Sequence, residues 1–193
     1  MNEKELQKIS VENSNNQLII RFTNPKERNP LSISVLKQLN KILSEIQPDI
    51  TRIIFTGTED VFASGANLRE IAEVTGDTAK EYALRGQNLM QKISELPQET
   101  IALVNGFCFG GALDLALSCN KRIALPNALF CHPGANLGIM TGWGGTQRLP
   151  RLIGEAKALE MFLTAKRIDA EEALKIGLID SIVTDFSQIE FIK

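Results

Sequence analysis

At 193 residues, 44% hydrophobic and 23% charged, the sequence is long enough for one well-cored domain and ordinary in composition for a soluble globular protein. A net charge of −2 from interspersed acids and bases, with few aromatics, gives no basic surface for nucleic acid. No apolar run reaches a membrane span and the polar start MNEKELQKIS has no signal-peptide core, so a cytoplasmic protein without a membrane partner is expected. Cys108, Cys119 and Cys131 are an odd set with no C-x-x-C pair, which predicts buried free thiols and neither a disulfide framework nor a zinc site.

Ile9–Val11 and Leu18–Phe22 predict an opening hairpin around the polar turn NSNNQ, and the proline-bracketed NPKERNP predicts a loop carrying Lys26 and Arg28. From Ser32 the apolar spacing predicts an amphipathic helix ending before Pro48. Arg52–Thr56 reads as a strand, followed by the loop TGTEDVFASGANLRE. In that loop Ala63, Ser64, Gly65 and Ala66 have little side chain to shield their amides from a ligand, although a close-packed turn explains them as well. Thr78–Leu96 predicts a long helix stopped by Pro97, with Tyr82 among its core-facing residues.

In Thr100–Cys119, TIALVNGFCFGGALDLALSC, an apolar strand-like run meets Gly110 and Gly111 and turns into a helix. The first amides of such a helix lack intrahelical partners, which makes an anion or oxyanion site; a plain tight turn is the alternative. Short apolar runs at Arg122–Leu125 and Ala128–Cys131 precede the irregular HPGANLGIMTGWGG. Helices follow at Thr146–Ile153, at Glu155–Thr164 and from Asp169 to Gly177, and Leu178–Val183 predicts a closing strand. The alternation of strands and helices predicts an α/β fold with largely parallel pairing.

Several chemistries fail on the residues. GFCFGGAL has neither the Lys-Ser/Thr ending of a phosphate-binding P-loop nor the G-x-G-x-x-G of a dinucleotide fold. Ser64 sits in no nucleophile elbow, and the sole histidine, His132, would have to be its base. Cys131 and His132 are neighbours that point to opposite faces of a strand, which disfavours a shared metal.

FASGANLRE, VNGFCFGGALDLAL and GWGGTQRLPRLIG, in that order and at those separations, resemble the enoyl-CoA hydratase/isomerase (crotonase) family across nearly all of residues 9–185. The resemblance implies a single-domain spiral of ββα units, an acyl-CoA thioester as substrate with no cofactor beyond its coenzyme A, and an oxyanion hole formed by the amides of Ala66 and Gly111. It also implies that Ser64, Asn67, Leu68 and Arg69 line the path of the coenzyme A, with Arg28 a contact for its phosphates or a solvated loop charge. Asn67 stands where an aspartate is usual, and Arg69 where a lysine is common.

Hydratases of that family use two glutamates. The first position here is Asp114 and the second falls at Gly134, so the pair is not intact and isomerisation, decarboxylation or an inefficient hydration is expected. A non-catalytic acyl-CoA-binding or assembly subunit is the alternative. Gly134 leaves room, on this reading, for water, bicarbonate or a substrate carboxylate. Asp114 is either the acid/base or an acid favoured by its helix dipole. His132 is either a second proton carrier or a packing residue, and Trp143 lines the acyl pocket or belongs to the core. The family resemblance further implies helices beyond Leu178–Val183 that support a homo-oligomer, a trimer or hexamer. The sequence ends at Lys193, so the expected fold lacks that extension.

Overall fold

The computed structural model describes residues 8–186. Strands β1 (Ile9–Ser14) and β2 (Gln17–Phe22) form the opening hairpin, and β3 (Pro30–Leu31) follows a 3₁₀ turn at Pro25–Glu27. Helix α1 (Ile33–Ile42) leads to β4 (Arg52–Thr56), β5 (Val61–Ala63), β6 (Gly65–Ala66) and helices α2 (Leu68–Ala72) and α3 (Gly76–Glu95). Next come β7 (Glu99–Val104), β8 (Phe107–Phe109) and α4 (Gly111–Ser118), then β9 (Lys121–Ala124), β10 (Leu129–Cys131), α5 (Gly145–Ile153) and α6 (Glu155–Thr164). The described chain closes with β11 (Ile168–Asp169), α7 (Ala170–Lys175) and β12 (Ser181–Ile182).

The expected spiral is legible in how these strands pair. In the β4–β5, β7–β8 and β9–β10 pairs the first strand joins a large sheet of order β1-β2-β4-β7-β9-β12, parallel from β2 onward, and the second joins a small sheet of order β11-β10-β8-β5, while β3 pairs with β6 in a separate two-stranded sheet. The central strands are buried on both faces, as parallel strands must be when layers cover them. In β4, Ile53 and Phe55 face the main core while Ile54 faces a second cluster with Ile101, Leu103 and Ile123. Cys108, Cys119 and Cys131 are free and buried. No helix among the described residues is long and apolar enough to cross a membrane.

The hairpin turn is made by Asn15 and Asn16 at φ 52° and 59°, the left-handed pair whose twist matches the flanking strands. Three expectations need correction. The segment after Gly57 is not one continuous loop: β5 and β6 lie within it, held by pairing with β8 and β3 that a single chain segment does not reveal. NPKERNP likewise contains a 3₁₀ turn and the start of β3. Of Leu178–Val183 only Ser181–Ile182 is strand; the buried Leu178 and Ile179 cap the last helix, their amides turning back to the Ala173 carbonyl.

Buried asparagines fix the loops that carry the site. Asn29, at φ 49°, accepts from the Asn24 amide at 2.7 Å and donates to the carbonyls of Val61 at 3.0 Å and Phe62 at 3.2 Å. Asn105 accepts from the Gly57 amide at 3.0 Å and donates to the Glu59 carbonyl at 2.9 Å. Together they latch the 24–31 and 57–67 segments to each other and to the β7–β8 junction. Asn29→Ala leaves backbone groups buried without partners, so its urea midpoint is expected to fall by the equivalent of about 1–3 kcal/mol at unchanged slope; an unaltered midpoint would show the latch to be idle.

Candidate active site

The latched 57–67 segment meets the first turn of α4. Gly65 has φ +90°, and a Cβ built there would stand 2.5 Å from the Phe109 carbonyl oxygen and 2.8 Å from the Gly111 amide nitrogen. The Cβ position of Gly111 is in turn 3.4 Å from the Ala66 nitrogen. Glycine at both positions therefore permits the close backbone approach that sets Ala66 and Gly111 side by side. Gly110 precedes the helix at φ 54° with its amide held by the Cys131 carbonyl at 2.8 Å. Gly111 opens the helix, where an amide has no intrahelical acceptor and faces outward with the positive end of the dipole.

These amides border a cavity of about 380 Å³. Ser64, Ala66 and Leu68 line one part of it, and Gly111, Asp114, His132, Gly134 and Trp143 line the rest. Arg28, Asn67 and Arg69 lie off the lining. Arg28 is exposed, with its guanidinium 5.9 Å from the centre of the Phe107 ring and its carbonyl accepting from the Ser64 amide at 2.9 Å. Asn67 caps α2, its Oδ1 accepting from the Arg69 amide at 3.0 Å, so this side chain is spent on the helix start.

Asp114 is fully buried on α4. The Thr141 hydroxyl donates to its Oδ2, and Oδ1 has no partner among the described residues. Gly145, the first residue of α5, packs so closely on Oδ1 that a Cβ there would overlap it. Two helix starts thus converge on this corner. The Thr141 hydroxyl, the Trp143 backbone and the positive charge of Arg148 favour the carboxylate, yet desolvation outweighs them and pushes the Asp114 pKa up to about 7.

His132 Nε2 lies 3.7 Å from Asp114 Oδ1, too far for a hydrogen bond, and neither ring nitrogen has a partner among the described residues. Burial depresses its pKa to about 4, so the imidazole is neutral near pH 7 and the pair is not an ion pair. Phe162 stacks on its other side with ring centres 5.1 Å apart.

Gly134 borders the same cavity. A Cβ there would run into the Ile139 carbonyl and stand 3.6 Å from the Met140 Cα, and the Gly134 carbonyl accepts from the Ile139 amide at 3.0 Å. The chain folds back and fills the direction a side chain would take, while the residue itself still borders the cavity. Trp143 is buried, and its indole lies between Gly86 of α3 and Gly111 of α4 so tightly that a Cβ on either glycine would overlap the ring. It forms wall and core at once. Thr141 and Gly145, which shape the Asp114 environment, were invisible as site residues because neither has a local signature; their part depends on a loop folding across α4.

A sequence profile described as enoyl-CoA hydratase/isomerase matches residues 12–190. The short-chain-enoyl-CoA hydratase of Clostridium acetobutylicum is 36% identical over 93% of this chain and 70% of its own length. The crotonyl-CoA hydratase of Syntrophomonas wolfei is 35% identical over 91% of this chain and 68% of its own length. Among solved structures, an enoyl-CoA hydratase from Thermoplasma volcanium superposes with a TM-score of 0.93 at 28% identity, over 98% of this chain and 77% of that one. The chain spans between 64% and 70% of the length of the curated relatives it matches.

Proposed function

Since this chain belongs to the enoyl-CoA hydratase/isomerase family, we propose that it binds an acyl-CoA thioester, holds the thioester oxygen between the Ala66 and Gly111 amides, and moves protons on the acyl chain through Asp114. The observation that carries this reading is one carboxyl, raised to about 7, on the helix whose first residue packs beside the Ala66 nitrogen. A thioester α-proton becomes removable when the enolate oxygen meets preorganised donors, and a base near neutral pKa is matched to take it.

Among enolate reactions, double-bond migration asks least of these residues. The Asp114 carboxylate takes a proton from C2 of a 3-enoyl thioester and the electron pair delocalises onto the thioester oxygen. Protonated Asp114 then delivers a proton at C4, leaving the conjugated 2-enoyl product and a regenerated carboxylate. No second carboxyl is required, in keeping with the glycine at position 134.

Hydration is a second reading, favoured by the unpartnered His132 Nε2 and Asp114 Oδ1. A water accepted between them would give its proton to the neutral imidazole as its oxygen adds at C3, while protonated Asp114 supplies C2. The two readings separate by pH and by variant. Migration uses ionised Asp114, so kcat/KM for 3-enoyl-CoA, followed by the absorbance of the conjugated product, is expected to rise through about pH 7 and survive His132→Gln. Hydration of a 2-enoyl-CoA would decline above that pH and be lost in His132→Gln. Thioester binding without either turnover would leave a non-catalytic acyl-CoA binder.

A further inference from the structure

Tyr82 reaches the same cavity from α3 and takes no part in the chemistry above. Its ring centre is 6.3 Å from that of Trp143, whose indole touches the Gly111 position, so the phenol stands one aromatic ring beyond the thioester oxygen site. The hydroxyl oxygen is buried and has no hydrogen-bond partner among the described residues. Ile71, Val74, Ala79 and Ala83 line the same cavity with Tyr82, a surface for methylene groups and not for phosphates or amides.

A buried hydroxyl that stays unpaired costs about 1–3 kcal/mol, so an isolated phenol in an apolar wall points to a ligand atom. We propose, building on the acyl-CoA reading, that Tyr82 selects the acyl group: its hydroxyl donates a hydrogen bond to an uncharged oxygen, a hydroxyl or a ketone, carried on the acyl chain beyond the reacting carbons. Burial, reinforced by the charge of Glu70, raises the phenol pKa to about 12, which keeps Tyr82 a neutral donor. The same Glu70, fixed by the Ile33 amide at 2.8 Å on its Oε2, disfavours a carboxylate tail in that place. A plain alkyl chain would fit the wall but leave the phenol unpaired.

The test uses enoyl-CoA thioesters of five to about ten carbons in matched pairs, one with a methyl end and one with a terminal hydroxyl, against the wild-type protein and Tyr82→Phe. At the matching length the wild type is expected to favour the hydroxylated thioester by about tenfold in kcat/KM, and Tyr82→Phe to erase that preference by losing rate on the hydroxylated member alone. Calorimetric affinities of the corresponding saturated thioesters are expected to show the same loss of preference. This arm reads recognition without turnover, so it stands even if Asp114 proves to move no proton. Equal losses on both members would mean that the phenol serves packing or the coenzyme A arm, and an unchanged preference would mean that a water satisfies it; either overturns the inference.

Discussion

Asp114→Asn is expected to lower kcat/KM by about 1000-fold, the scale of losing a positioned acid/base, while thioester affinity changes little. Asparagine keeps the size of the side chain and leaves Thr141 and the Trp143 backbone something to bond, so the loss belongs to proton transfer. A variant within a few-fold of wild type would remove Asp114 from the mechanism.

The same substitution has a stability signature with a definite sign. The Asp114 pKa rises from 3.8 to about 7 on folding, so between those values the folded state holds more protons than the unfolded one. Stability then falls as pH rises through that window, and the full penalty, on the order of 4 kcal/mol, is present above pH 7. Asp114→Asn has no charge to desolvate. It is therefore expected to be the more stable protein at pH 8 and to approach the wild type near pH 4, as read from urea unfolding at each pH. Identical pH profiles for the two proteins would mean that the carboxyl is solvated or paired in a way its burial contradicts.

Gly65→Ala is expected to have the second large effect. At φ +90° an alanine is strained by about 1–3 kcal/mol, and its methyl would press on the Phe109 carbonyl and the Gly111 amide. Displacing that amide removes one donor to the developing enolate, which predicts a fall of about 100- to 1000-fold in kcat. Activity should fall much further than stability. Gly76→Ala is the matched control, since nothing lies within 4 Å of its Cβ position at the start of α3. Equal activity losses in both variants would locate the effect in general destabilisation.

The motifs that were legible in the sequence are those whose meaning is local. The apolar run into Gly110–Gly111 describes a strand, a turn and a helix start from adjacent residues, and the structure builds them there. The chain-order alternation of strands and helices carried the fold class for the same reason. What was not legible depends on segments distant in sequence. Ser64–Ala66 reads as loop because two-residue strands have no alternation to show, and only the pairing of Pro30 and Leu31 with Gly65 and Ala66 defines β6. Leu178 and Ile179 read as strand because burial on a helix cap and burial in a sheet call for the same side chains.

Within the site, Asp114 and His132 were found as titratable residues, but their separation and their opposite pKa shifts arise from burial contributed by α5, α6 and the 133–144 segment. Gly134 looked like a space because glycine has no side chain; the Ile139 carbonyl that fills the direction a side chain would take lies five residues on. Tyr82 fitted the apolar face of α3 so well that its unpaired hydroxyl could not be anticipated.

The central claim is that Ala66 and Gly111 support an enolate whose proton Asp114 carries. Proton NMR of a saturated acyl-CoA held with the protein in D₂O measures that step alone, without any need to know the natural acyl group. Loss of the C2 proton signal with the wild type, and its retention with Asp114→Asn at saturating thioester, is the result expected. Exchange that proceeds undiminished in Asp114→Asn, or a wild type that binds the thioester and leaves its C2 protons in place, would contradict the account.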